Sequence, residues 1–322
     1  MQPVSSSPVP AVGFGTPAPL HQRLRRDLRR NRTVYLLMLL LLVYYALFKY
    51  LPITKMIIAF QDFSIYKGIS GSKFVGLGNF VKFFRLRDSG RLIANTLRLS
   101  LKSIVYGFPA PIIFALMLNE VQSARGKRVM QTVSYLPHFI SLVVVCGIVR
   151  NFCSSNGVVN QVVALLNPSW ENPNLLGVAD CYDAIHICAG LWQETGWGSI
   201  IYLATLSGVD PQLYEAAYID GASRLRRIWH ITLPALTPVI VVKLIMRLGD
   251  IMSVATDKIL LLYNPLTYSR ADTISTYMYR YGLLGSNYSM GAAISVFNTV
   301  ISIVLLVTVN RISRRLTEES LW

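Results

Sequence analysis

The chain has 322 residues, of which 53% are hydrophobic and 15% charged, with a mean hydropathy of +0.45. That is more apolar surface than one soluble core of this length would bury, which excludes a soluble globular enzyme and indicates an all-α, polytopic membrane protein. The net charge of +15 does not point to nucleic acid, because the Lys and Arg residues stand in short clusters beside apolar runs, where they act as topological anchors.

Residues 1–32 read as a basic cytoplasmic tail, disordered where Pro, Ser and Gly dominate and carrying Arg23, Arg25, Arg26, Arg29, Arg30 and Arg32. No cleavable signal is visible, since the first apolar run follows about thirty polar residues and no small-x-small site comes after it. A membrane domain over residues 33–310 then contains six spans, near 34–58, 95–118, 131–152, 183–206, 237–262 and 289–310. An even number places both termini on one side. The N-terminal arginines, with Arg311, Arg314 and Arg315 in the tail 311–322, make that side the cytoplasm; Arg125, Lys127 and Arg128 fall inside as well, as do Arg224, Arg226 and Arg227.

The first span is interrupted by Lys49, Pro52 and Lys55. Either the lysines snorkel to the outer interface, the favoured reading, or the helix continues beyond the bilayer to Phe60. The first outer segment breaks the positive-inside pattern with Lys67, Lys73, Lys82, Arg85, Arg87 and Arg91; an interfacial helix over Asn79–Arg91 with Phe80, Phe83 and Phe84 toward lipid would account for part of this. The outer segment 154–182 has no Lys or Arg. Cys146, Cys153, Cys181 and Cys188 have no metal-binding spacing and read as apolar packing residues with free thiols, although an oxidising outer compartment would permit a Cys153–Cys181 bridge. His138 and His186 read as packing or interface residues rather than metal ligands.

Charges within spans cost roughly 2.5–3.5 kcal/mol each, so they should face a cavity or one another. Glu194 in the fourth span and Arg247, Asp250, Asp257 and Lys258 in the fifth are the candidates. Arg247 and Asp250 stand three apart and suit a local ion pair. Asp257 and Lys258 point apart, so at least one meets another helix or the lumen. With them, Trp192, Trp197, Tyr202 and Tyr263 are candidates for stacking on sugar rings. A cavity made positive by Arg247 or Lys258 would suit an acidic saccharide such as a uronate oligomer.

Between the fourth and fifth spans, the loop 208–236 is too polar for lipid. Asp210-Pro211 is a helix start, Gly221 ends that helix near Ile219, Ser223 caps a second, and Pro234 and Pro238 mark re-entry into the membrane. Ala216 and Ala217 allow close approach of a partner and Glu215 offers it a charge, in the manner of a helix laid in a groove.

The run Glu215-Ala216-Ala217, three residues, Gly221, nine residues, Ile231-Thr232-Leu233-Pro234 resembles the EAA loop of permease subunits of bacterial binding-protein-dependent ABC importers. The segment from Trp192 to Leu203 and Leu261-Leu262-Tyr263-Asn264-Pro265 resemble the carbohydrate-importing branch, within it the first permease subunit of alginate importers. The resemblance spans about residues 30–315. It implies a type I importer fold in the bacterial inner membrane. It further implies a second homologous permease, two cytoplasmic ATP-binding subunits that use ATP and Mg, and an extracytoplasmic solute-binding protein. The helix from Pro211 to Asp220 would then be a coupling helix, with Glu215, Ala216, Ala217, Asp220, Gly221 and Ala222 as the ATPase-coupling residues. The chain itself has no G-x-x-x-x-G-K-[ST], since Gly126-Lys127 lacks the upstream glycine, and no catalytic motif. It is expected to be no enzyme and to bind no cofactor or metal. Two rivals are an ion-coupled secondary transporter, for which no inverted repeat is visible, and a membrane docking subunit that moves no solute.

Overall fold

The computed structural model describes residues 27–252 and 255–317, which form two compact units divided at Met56. In the first unit residues 27–30 are helical, and the Asn31 amide donates to the Asp27 carboxylate at 2.6 Å. Residues 1–26, most of the expected tail 1–32, lie outside the described residues. The apolar run forms a helix over Arg32–Phe60 (α1). Lys49 and Pro52 do not end it. A π turn at Ala46–Tyr50 takes up the irregularity, and Pro52 falls in the first turn of the segment Leu51–Lys55, where its missing N–H goes unused. The helix reaches Phe60, as the second reading requires.

The second unit opens with a short antiparallel pair, β1 (Gln61–Asp62) and β2 (Lys73–Phe74), in register Gln61↔Phe74, a small departure from an all-helical fold. Helix α2 (Gly78–Arg85) follows. Its buried Asn79 donates to the carbonyls of Ala59 and Gln61, both at 2.9 Å, tying α2 to the strand. The expected interfacial helix is shorter than Asn79–Arg91, and Phe83 does not face lipid: it is buried with Leu92, Met252 and Ile274. The long helix α3 spans Ser89–Asn119.

The expected third span is broken. Helices α4 (Ala124–Phe139) and α5 (Leu142–Phe152) meet at 98°. Pro137 lies in the last turn of α4, Ile140 turns extended, and Ser141 caps α5 by accepting from Val144 N at 3.4 Å. After α6 (Val158–Leu166) comes α7 (Tyr182–Leu206), 25 residues long. Then follow α8 (Pro211–Ile219), α9 (Arg224–Gly249), α10 (Thr256–Leu262) and α11 (Tyr288–Thr317). The expected single span 237–262 is thus two elements. Gly249 packs so closely on α11 that a Cβ there would lie 2.8 Å from Leu306; Asp250 leaves the helical conformation, and Asp257 and Lys258 belong to the separate α10.

Helices α1, α3, α9 and α11 are long and apolar enough to cross a membrane, and the bent pair α4–α5 makes a fifth if counted as one span. Helix α7 has the length but carries Asp183, His186, Gln193 and Glu194, all but Glu194 buried. Its neighbours α3, α4, α5, α9 and α10 pack against it. Core clusters join α3, α7 and α9 through Ile112, Ala115, Tyr202, Leu206 and Leu236, and α3, α5, α7 and α10 through Leu99, Cys146, Tyr182, Ile259 and Leu262. All four cysteines are free; Cys153 is buried in this second cluster, with Cys181 packed against it.

The seat of α4 on α7 is a backbone contact. A Cβ at Gly196 would stand 2.0 Å from the Ser134 carbonyl oxygen. Gly196→Ala is expected to destabilise the fold by about 1–3 kcal/mol, read as a lower thermal midpoint in detergent. An unchanged midpoint would contradict this seating.

Candidate functional site

Two regions bring the sequence-derived residues together. The first is α8 and its flanks. Asp210 adopts an extended conformation and accepts from Gln212 N at 2.9 Å, capping α8 as its sequence leads one to expect. At the far end Gly221 has φ +72°, a left-handed conformation that side chains resist, and the Ala222 N–H reaches back to the Ala217 carbonyl at 2.9 Å. Ser223 then caps α9, accepting from Arg226 N at 3.4 Å.

One face of α8 is stitched to α9. Tyr214 and Thr232 share a hydroxyl hydrogen bond at 3.2 Å, and the Arg227 guanidinium lies 5.9 Å from the Tyr218 ring centre. The rest of α8 is bare: Glu215 and Ala216 are exposed, and Leu213 and Ile219 with them, Ile219 at 82%. Large apolar side chains this open, beside the carboxylates of Glu215 and Asp220, mark a surface built to be covered. A hollow of ≈ 330 Å³ adjoins it, lined by Ala217, Asp220, Ala222, Arg226, Arg227 and His230. Arg226 and Arg227 belong to the basic second helix that the sequence places after Ser223, besides their part in the topology.

The second region is a cavity of ≈ 710 Å³ between α3, α7, α9 and α10. Glu194, Tyr202, Arg247, Asp250, Asp257 and Lys258 all line it, as do His186, Gln193, Thr195, Lys243 and, from α3, Ser100 and Ser103. Trp192 and Trp197 do not line it. Trp197 instead stacks on His138, ring centres 4.5 Å apart and nearly parallel, while the His138 Nδ1 lies 3.2 Å from the Glu194 carboxylate. Tyr263 also stands away from the cavity, beside the Arg280 guanidinium, which lies 4.4 Å from the Tyr268 ring centre and pairs with Asp272 at 2.5 Å. The expected Arg247–Asp250 ion pair does not form among the described residues, because Asp250 sits past the end of α9 rather than one turn along it.

The charged lining balances: Lys243, Arg247 and Lys258 against Glu194, Asp250 and Asp257. Lys243 was not among the sequence candidates, although it stands four residues before Arg247, a spacing that puts both on one face of α9. Also unread was the polar cluster at the end of α7 remote from α8. There Asp183, with 9% of its side chain exposed, is held by Arg98 Nε at 3.0 Å and Lys102 Nζ at 2.8 Å, both from α3. Nearby Arg98 also donates to the Arg270 carbonyl at 2.6 Å.

Comparison with known proteins gives one consistent result. Residues 107–318 match the family described as "Binding-protein-dependent transport system inner membrane component". The chain is 40% identical to Protein LplB of Bacillus subtilis over 92% of each chain. It is 38% identical to the polygalacturonan/rhamnogalacturonan transport system permease protein YteP of the same organism over 94% of each. A subunit in the crystal structure of a bacterial alginate ABC transporter in complex with an alginate pentasaccharide-bound periplasmic protein superposes with a TM-score of 0.85 at 39% identity, covering 93% of this chain and all of that one.

The Asp183 cluster yields a test of the α3–α7 joint. Asp183→Ala leaves Arg98 facing a vacancy in partly buried surroundings and is expected to cost about 3–5 kcal/mol, whereas Lys102→Ala, at a half-exposed site where Arg98 remains, is expected to cost under about 1 kcal/mol. Equal losses on denaturation in detergent would contradict the assignment of Asp183 as the buried centre.

Proposed function

The chain belongs to the family of binding-protein-dependent transport system inner membrane components, and from that premise we propose that it is the permease subunit of an ATP-driven importer whose cargo is an acidic oligosaccharide. As a member of this family it is a multi-pass membrane permease of the ABC sugar and polysaccharide importers, with the type I importer fold. The observation that carries the mechanism is the bare, doubly capped helix α8, which lies between two walls of the central cavity, α7 and α9.

In this reading α8 is the coupling helix. A cytoplasmic ATPase dimer covers Leu213, Glu215, Ala216 and Ile219, and its closure on ATP moves α8 with α7 and α9. Rigid caps at Asp210 and Gly221 keep the displacement from dissipating in the loop. A second, homologous permease forms the other half of the path, and a solute-binding protein outside delivers the cargo. ATP and Mg are consumed by the partner subunits. Six spans, with α7 as the internal one and α4–α5 as a bent one, put α8 and both termini in the cytoplasm of the cell that holds this protein in its inner membrane.

The acidic cargo is supported by likeness rather than by net cavity charge, which is balanced. The similar proteins include one named for polygalacturonan and one solved with alginate, both uronate polymers.

Glu215→Lys reverses one exposed charge on α8 and is expected to reduce ATPase co-purification and transport severalfold without altering the fold, since the side chain contributes to no core. Undiminished co-purification together with undiminished transport would contradict the coupling role.

A further inference from the structure

Of the six charged side chains around the central cavity, five are exposed: Glu194, Lys243, Arg247, Asp250 and Asp257. The sixth, Lys258, is buried at 9% exposure. Its ammonium donates to the His186 carbonyl on α7 at 3.0 Å. It lies in a notch left by a missing side chain, for a Cβ at Gly190 would stand 2.9 Å from Nζ. No carboxylate among the described residues forms an ion pair with it.

An ammonium has three donors and needs a counter-charge when taken out of water. Here one donor meets a carbonyl, and none meets an anion. The nearest acid in sequence, Asp257, points elsewhere as its helix neighbour, and Glu194 lies one turn beyond Gly190 on α7 with its carboxylate beside His138. A buried cation left uncompensated destabilises the permease that holds it; a carboxylate arriving in the cavity removes that cost. A neutral sugar hydroxyl can accept a charge-assisted hydrogen bond from the ammonium but brings no counter-charge, whereas a carboxylate supplies both.

We infer that Lys258, set in the Gly190 notch between α7 and α10, is the specificity-determining residue of the cavity, and that it selects saccharides bearing a carboxylate over neutral ones. This rests on the reading that the cavity conducts an oligosaccharide. Lys243 and Arg247 are exposed and stand among three exposed acids, Glu194, Asp250 and Asp257, so they guide charge without discriminating strongly; discrimination belongs to the buried cation, whose desolvation makes the charge of its partner count most.

The test uses the whole complex, with the second permease, the ATPases and the binding protein, reconstituted in liposomes. Two probes are followed: a short uronate oligosaccharide and the same oligosaccharide with its carboxyls methyl-esterified. Because the binding protein is common to every sample, a change in the flux ratio between variants reports the permease. Lys258→Gln keeps a donor for the His186 carbonyl and removes the charge, Lys258→Met is the second neutral variant, and Lys258→Arg keeps the charge. The uronate-to-ester ratio is expected to fall about tenfold or more in the neutral variants and to be largely retained in Lys258→Arg. A neutral variant that assembles and keeps the wild-type ratio overturns the assignment of Lys258 while leaving the transport reading intact. Absence of flux of both probes in the wild-type complex overturns the transport reading itself, and this assignment with it.

Discussion

Helix α7 carries a polar face that cannot meet lipid, and much of the rest of the fold follows from that constraint. It is long enough to span a bilayer, yet Asp183, His186 and Gln193 lie along it, buried, and each would be costly against hydrocarbon chains. Five other helices supply the shelter. They come close because α7 has glycines where they cross: Gly190 beneath Lys258 of α10, Gly196 beneath the Ser134 carbonyl of α4, and Gly198, where a Cβ would be 3.0 Å from Pro111 of α3. Where these neighbours do not close completely, the cavity remains, and its walls carry the charged side chains that lipid would not tolerate.

The same helix explains how a surface loop could govern that cavity. Helix α7 ends at Leu206, α8 begins at Pro211 and α9 at Arg224, so only a few residues separate the exposed element from each wall. The stops are firm ones, an aspartate cap at one end and a left-handed glycine at the other. Tyr214 and Thr232 add a cross-link to α9. In the proposed importer a push on α8 therefore reaches α7 and α9 with little loss, and the chain needs no nucleotide site of its own.

Much of this was legible in the residues themselves. The apolar runs located α1, α3 and α11, and Asp210-Pro211, Gly221 and Ser223 located the exposed loop to the residue, because capping chemistry is local. The breaks were harder. Pro137 and Ser141 stand four apart inside an apolar run, and the run's hydropathy hid the 98° bend that they mark. Likewise residues 237–262 read as one span despite their charges, while Gly249 against Leu306 and the departure of Asp250 from the helix divide it. The aromatic candidates divide: Tyr202 lines the cavity while Trp192 and Trp197, on the same helix as Glu194, do not, because sequence position does not say which face is turned inward. Phe83 was misread in the same way, its amphipathic helix burying the ring instead of offering it to lipid.

The most direct measurement is solute accumulation in proteoliposomes holding this chain with its second permease and ATPase subunits, supplied with the binding protein, under imposed and collapsed ion gradients. The account predicts uptake that stops without ATP, persists when ionophores abolish the gradients, and is lost when the ATPase subunits are omitted. Uptake that follows an ion gradient and continues in the absence of those subunits would contradict it.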